Sequence, residues 1–297
     1  YNVGKTVEEM MHKKEHMIVN GGTQSNEFTG VEVIKLLEKR NYFGKNLNLI
    51  GHFANRKAFE LGKRFVDKDL NRSFTKEVLE KGGFLHEERV AKEIYDKYAN
   101  PNNLIIDIHT TTSNMGKSIV LTKINSFNLK LISFLQDLHS DLKVFYWAEN
   151  EDLAFLNTIS PIGFAIEMGP VANNLLDCKI IEDTLVLIED ILDFAEKYNK
   201  DMLPTLKKEI TLYEGVDYLY YPKNENGERF GYIHDEFQGR DFFPLYKGDR
   251  LFKTHIDTNL EYNGEEGLYA LFINEAAYYT KNIACCLAKK ITAIIED

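Results

Sequence analysis

Four stretches of this chain combine residue types that could do chemistry at one point. In GGTQSNEFTG, Gly21 to Gly30, two glycines precede Gln24 and Glu27, which are three residues apart and can face one point at the start of a helix. A glutamate in a first helical turn also suits the positive end of the helix dipole, so capping alone would explain Glu27 equally well. In LIIDIHTTTSNMG, Leu104 to Gly116, an apolar strand delivers His109 into a run of small polar residues, with Asp107 two residues earlier on the same strand face. A carboxylate at that spacing could orient a metal-binding imidazole, although a lone histidine after a strand is more often structural.

GFAIEMGP, Gly163 to Pro170, ends an apolar run in Glu167, a general base if a pocket surrounds it and a solvated edge carboxylate otherwise. The stretch from Asn55 to Phe74 contains NRKAF and DKDLNRSF and holds Arg56, Arg64 and Arg72, three of only eight arginines. In a chain of formal net charge -10 this clustering points to a local anion site, because a guanidinium binds a carboxylate with two parallel hydrogen bonds. A solvated surface of local ion pairs is the plainer alternative.

To serve one site, these stretches must end neighbouring strands of an open α/β sheet, where loops converge and helix N-termini point their N–H groups. The pattern permits this. Short apolar runs at His16 to Val19, Leu47 to Gly51, Leu104 to His109, Ser118 to Leu121 and Gly163 to Glu167 read as strands. Asn26 to Lys39, Glu87 to Tyr98, Leu129 to Leu138 and Ile180 to Tyr198 carry apolar residues at spacings of three and four and read as amphipathic helices. After Pro204 the texture changes to tyrosine-rich, glycine-punctuated strands with turn signals at Asn226-Gly227, Lys247-Gly248 and Asn263-Gly264. We therefore expect an α/β domain over residues 1–204 and a smaller β-rich domain over 205–297. The tail from Lys281 to Asp297 is ambiguous between helix and strand.

A length of 297 residues with 44% hydrophobic content supports two cores. The negative charge argues against nucleic-acid and anionic-membrane partners, which need a basic face. No apolar run approaches the roughly 20 residues that span a bilayer. Cys178, Cys285 and Cys286 form neither a disulfide framework nor a zinc-finger spacing, so a reducing, cytoplasmic setting is the expectation.

Taken together, GGTQSNEFTG, NRKAF, DKDLNR, HTTTSNMG, IEMGP and NEAAYY occur in the order and approximate spacing of the aspartoacylase family. The chain resembles that family, which includes aspartoacylase and aminoacylase 3 and is related to succinylglutamate desuccinylase and the zinc carboxypeptidases, from about residue 16 to 280. The resemblance implies a zinc-carboxypeptidase-like mixed sheet flanked by helices, with a β-rich C-terminal domain narrowing the entrance. It also implies hydrolysis of the amide of a small N-acyl amino acid, such as N-acetylaspartate, and self-association as a dimer. Carried over residue by residue, Glu27 and His109 match two metal ligands and Glu167 matches the base that activates water. Arg56 would polarise the scissile carbonyl, and Asn71, Arg72 and Tyr278 would bind the substrate carboxylate.

Two positions depart from the family. The first metal ligand there is a histidine, and here it is Gln24. A neutral amide oxygen is a weaker zinc donor than imidazole, so weak zinc occupancy, or preference for a harder ion such as manganese, is expected. Where the family has an arginine for the substrate's side-chain carboxylate stands Asn157, and no Lys or Arg occurs from Glu149 to Glu167. A singly charged N-acyl amino acid then becomes the better substrate. Two functions follow: an amidohydrolase with altered metal use, or a non-catalytic descendant that binds an N-acyl amino acid or a protein partner.

Overall fold

The alternation of apolar runs and amphipathic stretches folds into one large sheet with helices on both faces. The computed structural model describes residues 13–40, 47–148 and 154–295. Strands β1 (His16–Gly21), β2 (Asn48–Phe53), β3 (Leu104–Thr110), β4 (Lys117–Leu121), β5 (Lys143–Tyr146) and β6 (Phe164–Met168) alternate with helices α1 (Phe28–Lys39), α2 (Arg56–Glu60), α3 (Lys76–Lys81), α4 (His86–Tyr98) and α5 (Ser126–Leu138). Helix α6 (Cys178–Asn199) closes this half. The predicted strands and helices are present, their ends shifted by at most three residues. Strand β5 escapes the sequence reading because its four residues carry no alternation and no bounding turn signal.

All seven residues of β3 are buried, so it reads as a continuous apolar run, as a strand covered on both faces should. Alternate residues divide between two cores. Met17, Val19, Leu104, Ile106 and Ile108 pack beneath α1, α5 and α6, whereas Ile18 and Ile105 pack with Val78, Ala91 and Ile94 of α3 and α4.

The second half contributes β7 (Glu209–Tyr220), β8 (Gly231–Ile233), β9 (Phe243–Pro244), β10 (Arg250–Thr254), β11 (Asn259–Glu261), β12 (Tyr269–Leu271) and β13 (Ile283–Ile294). The large sheet has ten strands in the order β2-β1-β3-β6-β4-β5-β7-β13-β12-β9, and β11-β10-β8 form a second sheet. Strand β4 runs antiparallel to β6, which makes the sheet mixed. Strand β7 pairs in parallel with β5 through Phe145↔Tyr213 and Tyr146↔Glu214, so the ladder continues across the expected boundary near residue 205. The ambiguous tail is strand β13; its first six residues are buried and the next six largely are not, which masks any single periodicity. Glu296 and Asp297 lie outside the described residues.

The basic stretch between β2 and α4 is mostly irregular and is tied down by one carboxylate. Glu87, fully buried in the first turn of α4, accepts hydrogen bonds from the backbone N–H of Val66 (2.6 Å), Asp67 (2.9 Å) and Lys68 (3.2 Å) and from Asn55 Nδ2 (3.1 Å). Burial alone would push this carboxyl up, but the four donors outweigh it and hold it below its ordinary value of 4.5. Because the folded value is depressed, the stabilisation is present above 4.5 and is lost as pH falls through the depressed value. Glu87→Ala strands those donors and is expected to cost about 3 kcal/mol. A urea midpoint at pH 7 equal to the parent's would contradict this.

Candidate active site

The loop after β1 turns sharply because side chains are missing where the chain crowds itself. Gly22 has φ +72°, and a Cβ on Gly21 would lie 2.4 Å from the backbone of Gly30 in α1. The helix thus starts against the strand end and brings Gln24 and Glu27 towards β3. Glu27 occupies the N-cap position of α1 without a side-chain capping bond. Its Oε2 instead accepts from the backbone N–H of Thr110 (3.1 Å) and lies 3.1 Å from His109 Nδ1, which removes capping as the explanation for this residue.

The two carboxylates and the imidazole form a line. Asp107, with no solvent exposure, holds His109 Nε2 at 2.7 Å through Oδ2 and accepts from Thr23 Oγ1 (2.6 Å) through Oδ1. Asp107 therefore fixes the ring and turns Nδ1 towards Glu27. Burial works against protonation of His109, but the neighbouring Asp107, Glu27 and Glu167 outweigh it and raise its pKa well above the ordinary histidine value. Strand register sets His109 of β3 beside Glu167 of β6. The carboxyl of Glu167 is pushed up to about 8, first by burial and then by Glu27, Glu275 and Asp107, with His109 opposing.

Gln24 completes the cluster from the other side. Its Nε2 donates to Asp69 Oδ1 at 2.8 Å, and its Oε1 is buried with no hydrogen-bond partner among the described residues. Arg64 bridges the same groups, from Nη1 to Glu27 Oε1 (3.3 Å) and from Nη2 to Asp69 Oδ2 (3.2 Å). Asp69 in turn caps a 3-10 turn, Leu70–Arg72, through the N–H of Asn71. The Asn71 side chain accepts from the N–H of Leu156 (2.8 Å), and its Nδ2 reaches Asp107 Oδ2 and His109 Nε2. It is engaged by the protein on both ends of its amide.

A cavity of about 150 Å³ is lined by Gln24, Glu27, Arg64, Asn71, Arg72, His109, Asn157, Glu167 and Tyr278. Eight of the nine residues singled out from sequence therefore come together. The exception is Arg56, which does not line this cavity: it stacks over Phe53, 5.1 Å from guanidinium carbon to ring centre, in a separate cleft. The cause is local. Asn55 caps α2, accepting from the N–H of Ala58, and is itself buried against Glu87, so the next residue is turned outwards. Arg64 and Arg72 are the guanidinium groups that line the cavity.

Sequence reasoning also missed residues of the second half that wall the cavity. Tyr218, Phe272 and Cys286 join Phe145, Trp147 and Phe155 in its lining, with Tyr218 stacked on Trp147 at 4.8 Å and Phe272 5.8 Å from Phe145. Arg72 lies 4.9 Å above the Phe155 ring, and Asn157, 2% exposed, has an Nδ2 without a partner among the described residues. Glu275 ties the two halves together. Its Oε2 accepts from the N–H and hydroxyl of both Thr112 and Ser113, and its Oε1 accepts from the N–H of Ala277. The only sequence signal for it was its place in NEAAYY, and nothing in that spacing announced a carboxylate reaching a loop 162 residues away.

Among the described residues, no three His, Cys, Asp or Glu are grouped so as to hold a metal ion. The donors at hand are Glu27, His109 Nδ1 and the orphaned Oε1 of Gln24. A buried acceptor without a donor, beside a carboxylate and an oriented imidazole, fits a divalent cation, though more weakly than a histidine in its place would.

The family profile of the succinylglutamate desuccinylase/aspartoacylase catalytic domain matches residues 13–195, more than half of the chain. The chain belongs to that family. A second profile, the family's barrel-sandwich hybrid domain, matches residues 208–290 of this family member. A relative described as a probable aspartoacylase from Acaryochloris marina is 37% identical over 281 residues, covering 92% of this chain and 95% of its own. An N-acyl-aromatic-L-amino acid amidohydrolase (carboxylate-forming) from Xenopus tropicalis is 32% identical over 94% of each chain. The crystal structure of murine aminoacylase 3 superposes with a TM-score of 0.89 at 28% identity, over 96% of this chain and 98% of that one. The carboxypeptidase-like α/β half with a smaller β-rich half is thus the architecture of the aspartoacylase family. No helix among the described residues is long and apolar enough to cross a membrane.

Proposed function

We propose that the protein is a divalent-cation-assisted amidohydrolase that cleaves small N-acyl amino acids bearing one carboxylate. The observation that carries this reading is the meeting of Glu167, His109, Glu27 and Gln24 at the ends of adjacent strands in a cavity that also holds two arginines. Gln24, Glu27 and His109 are the donors for zinc or a harder ion such as manganese. Bound there, the cation supplies Lewis acidity beside the scissile carbonyl.

The chain's own groups supply the rest. Glu167 takes a proton from the attacking water and returns it to the leaving amine, so acyl carboxylate and free amino acid are the products. Arg64, braced by Glu27 and Asp69, offsets the charge that develops on the carbonyl oxygen. Arg72 and Tyr278 hold the substrate carboxylate, and Asn71 keeps His109 and the Arg72 turn in register. The aromatic wall and Asn157 receive the substrate side chain, where a second carboxylate would be buried without a cation.

The test is turnover with a panel of N-acetyl amino acids in zinc and in manganese. A kcat/KM for an apolar substrate at least about tenfold above that for N-acetylaspartate is expected, since an unpaired buried charge costs at least that much. Preference for N-acetylaspartate would reject the assignment at Asn157. The alternative, a non-catalytic binder of N-acyl amino acids, is favoured by the missing third strong ligand. It predicts ligand binding with no turnover in either metal.

A base must be ionised to act, so the rate should rise with pH along an acidic limb set by Glu167. Glu275→Gln removes one of the charges that push the Glu167 carboxyl up. The limb should therefore move to lower pH, by up to about one pH unit. An unmoved limb would mean that Glu167 does not sense Glu275.

A further inference from the structure

The part of the basic stretch that the cavity leaves out has a cleft of its own. Arg56, Lys57 and Lys97 line a space of about 440 Å³ between the end of β2 and α4, together with His52 and His86. We propose that this cleft binds a small oxyanion, a phosphate or carboxylate group carried on a small molecule.

The three cations make no ion pair within 4.0 Å among the described residues, in a chain whose formal net charge is -10. Glu60 and Glu93 also line the cleft but stay beyond that distance. Two of the cations are held in place by rings beneath them. Arg56 sits over Phe53 at 5.1 Å and Lys97 over Tyr98 at 5.0 Å, which limits their freedom and keeps their charge at the cleft.

The histidines add one unsatisfied polar atom and one imidazole of fixed orientation. The Nε2 of His86 is buried and has no hydrogen-bond partner among the described residues. Asn20 Nδ2 donates to the Ile106 carbonyl (3.0 Å), so its Oδ1 faces His52 Nδ1 at 2.9 Å and the neutral imidazole carries its proton on Nδ1. Burial holds the His52 pKa down, to about 4, and Lys97 and Arg56 add to the effect while Asp107 opposes it. An anion placed among these groups would offset the two cations and favour the imidazolium, which makes His52 a reporter of occupancy.

The experiment titrates pyrophosphate and, separately, citrate into the full chain at low salt while the imidazole resonances of His52 and His86 are followed. Saturable shifts with a Kd below about 1 mM are expected for at least one anion, and whichever binds more tightly assigns phosphate or carboxylate as the source. Arg56→Gln with Lys97→Gln, both exposed side chains, should weaken binding at least about tenfold. Resonances unmoved at about 10 mM of both anions, or a double variant that binds as the parent does, would overturn the proposal. So would a response lost in Arg72→Gln but kept in the double variant, because it would put the anion in the Glu167 cavity.

Discussion

Glu167→Ala is expected to lower kcat by about a thousandfold, within the 10²–10⁴ range typical of a positioned acid or base, with cation content unchanged. The carboxylate lies near the end of β6 beside His109 and is not among the three proposed donors, so in the proposed mechanism its loss removes proton transfer and leaves those donors in place. Without a cation beside it, the Glu167 carboxyl is pushed up to about 8, first by burial. The same value predicts a stability effect in metal-stripped protein. The folded-state pKa is raised from 4.5, so the contribution of Glu167 is present below 4.5 and is lost as pH rises through about 8. Thermal melts above that pH should find the alanine variant no less stable than the parent. Parental kcat in the variant would take Glu167 out of the mechanism.

Gln24→His should raise zinc affinity at least about 10–100-fold, since changes to groups that merely orient metal ligands already produce effects of that size. Asp69 Oδ1, which now receives Gln24 Nε2, offers an imidazole the same anchor, leaving its other nitrogen for the cation. Chelator competition measures the affinity, and kcat at saturating zinc shows whether the remaining groups are competent. Manganese affinity relative to zinc should fall at the same time, because imidazole is the softer donor. No gain in affinity or in rate would mean that Gln24 Oε1 does not face the cation.

Much of this site was legible because its residues sit at strand ends, where short apolar runs stop and chemistry begins. His109 and Glu167 could be paired from sequence only as members of neighbouring strands, and register then made them adjacent. The capping explanation for Glu27 could not be dismissed without seeing that its carboxylate turns to Thr110 and His109. The resemblance placed Arg56 at the scissile carbonyl, whereas the structure puts Arg64 in the cavity and Arg56 in a separate cleft. What separates them is the burial of Asn55 against Glu87, a tertiary contact that spacing does not encode. The aromatic wall was illegible for a similar reason, since Tyr218, Phe272 and Cys286 reach the cavity only through pairing of distant strands. The strand character of the tail was hidden by its change from full burial to exposure half-way along.

The unbroken ladder from β5 through β7 to β13 limits how this molecule can breathe. A β-rich half on a free linker could swing aside to admit substrate, but here such a hinge would tear backbone hydrogen bonds. The chamber therefore does not open by movement of a whole lobe. Selection by size at the door follows, and bulky acyl groups should fail on entry, before any chemistry begins.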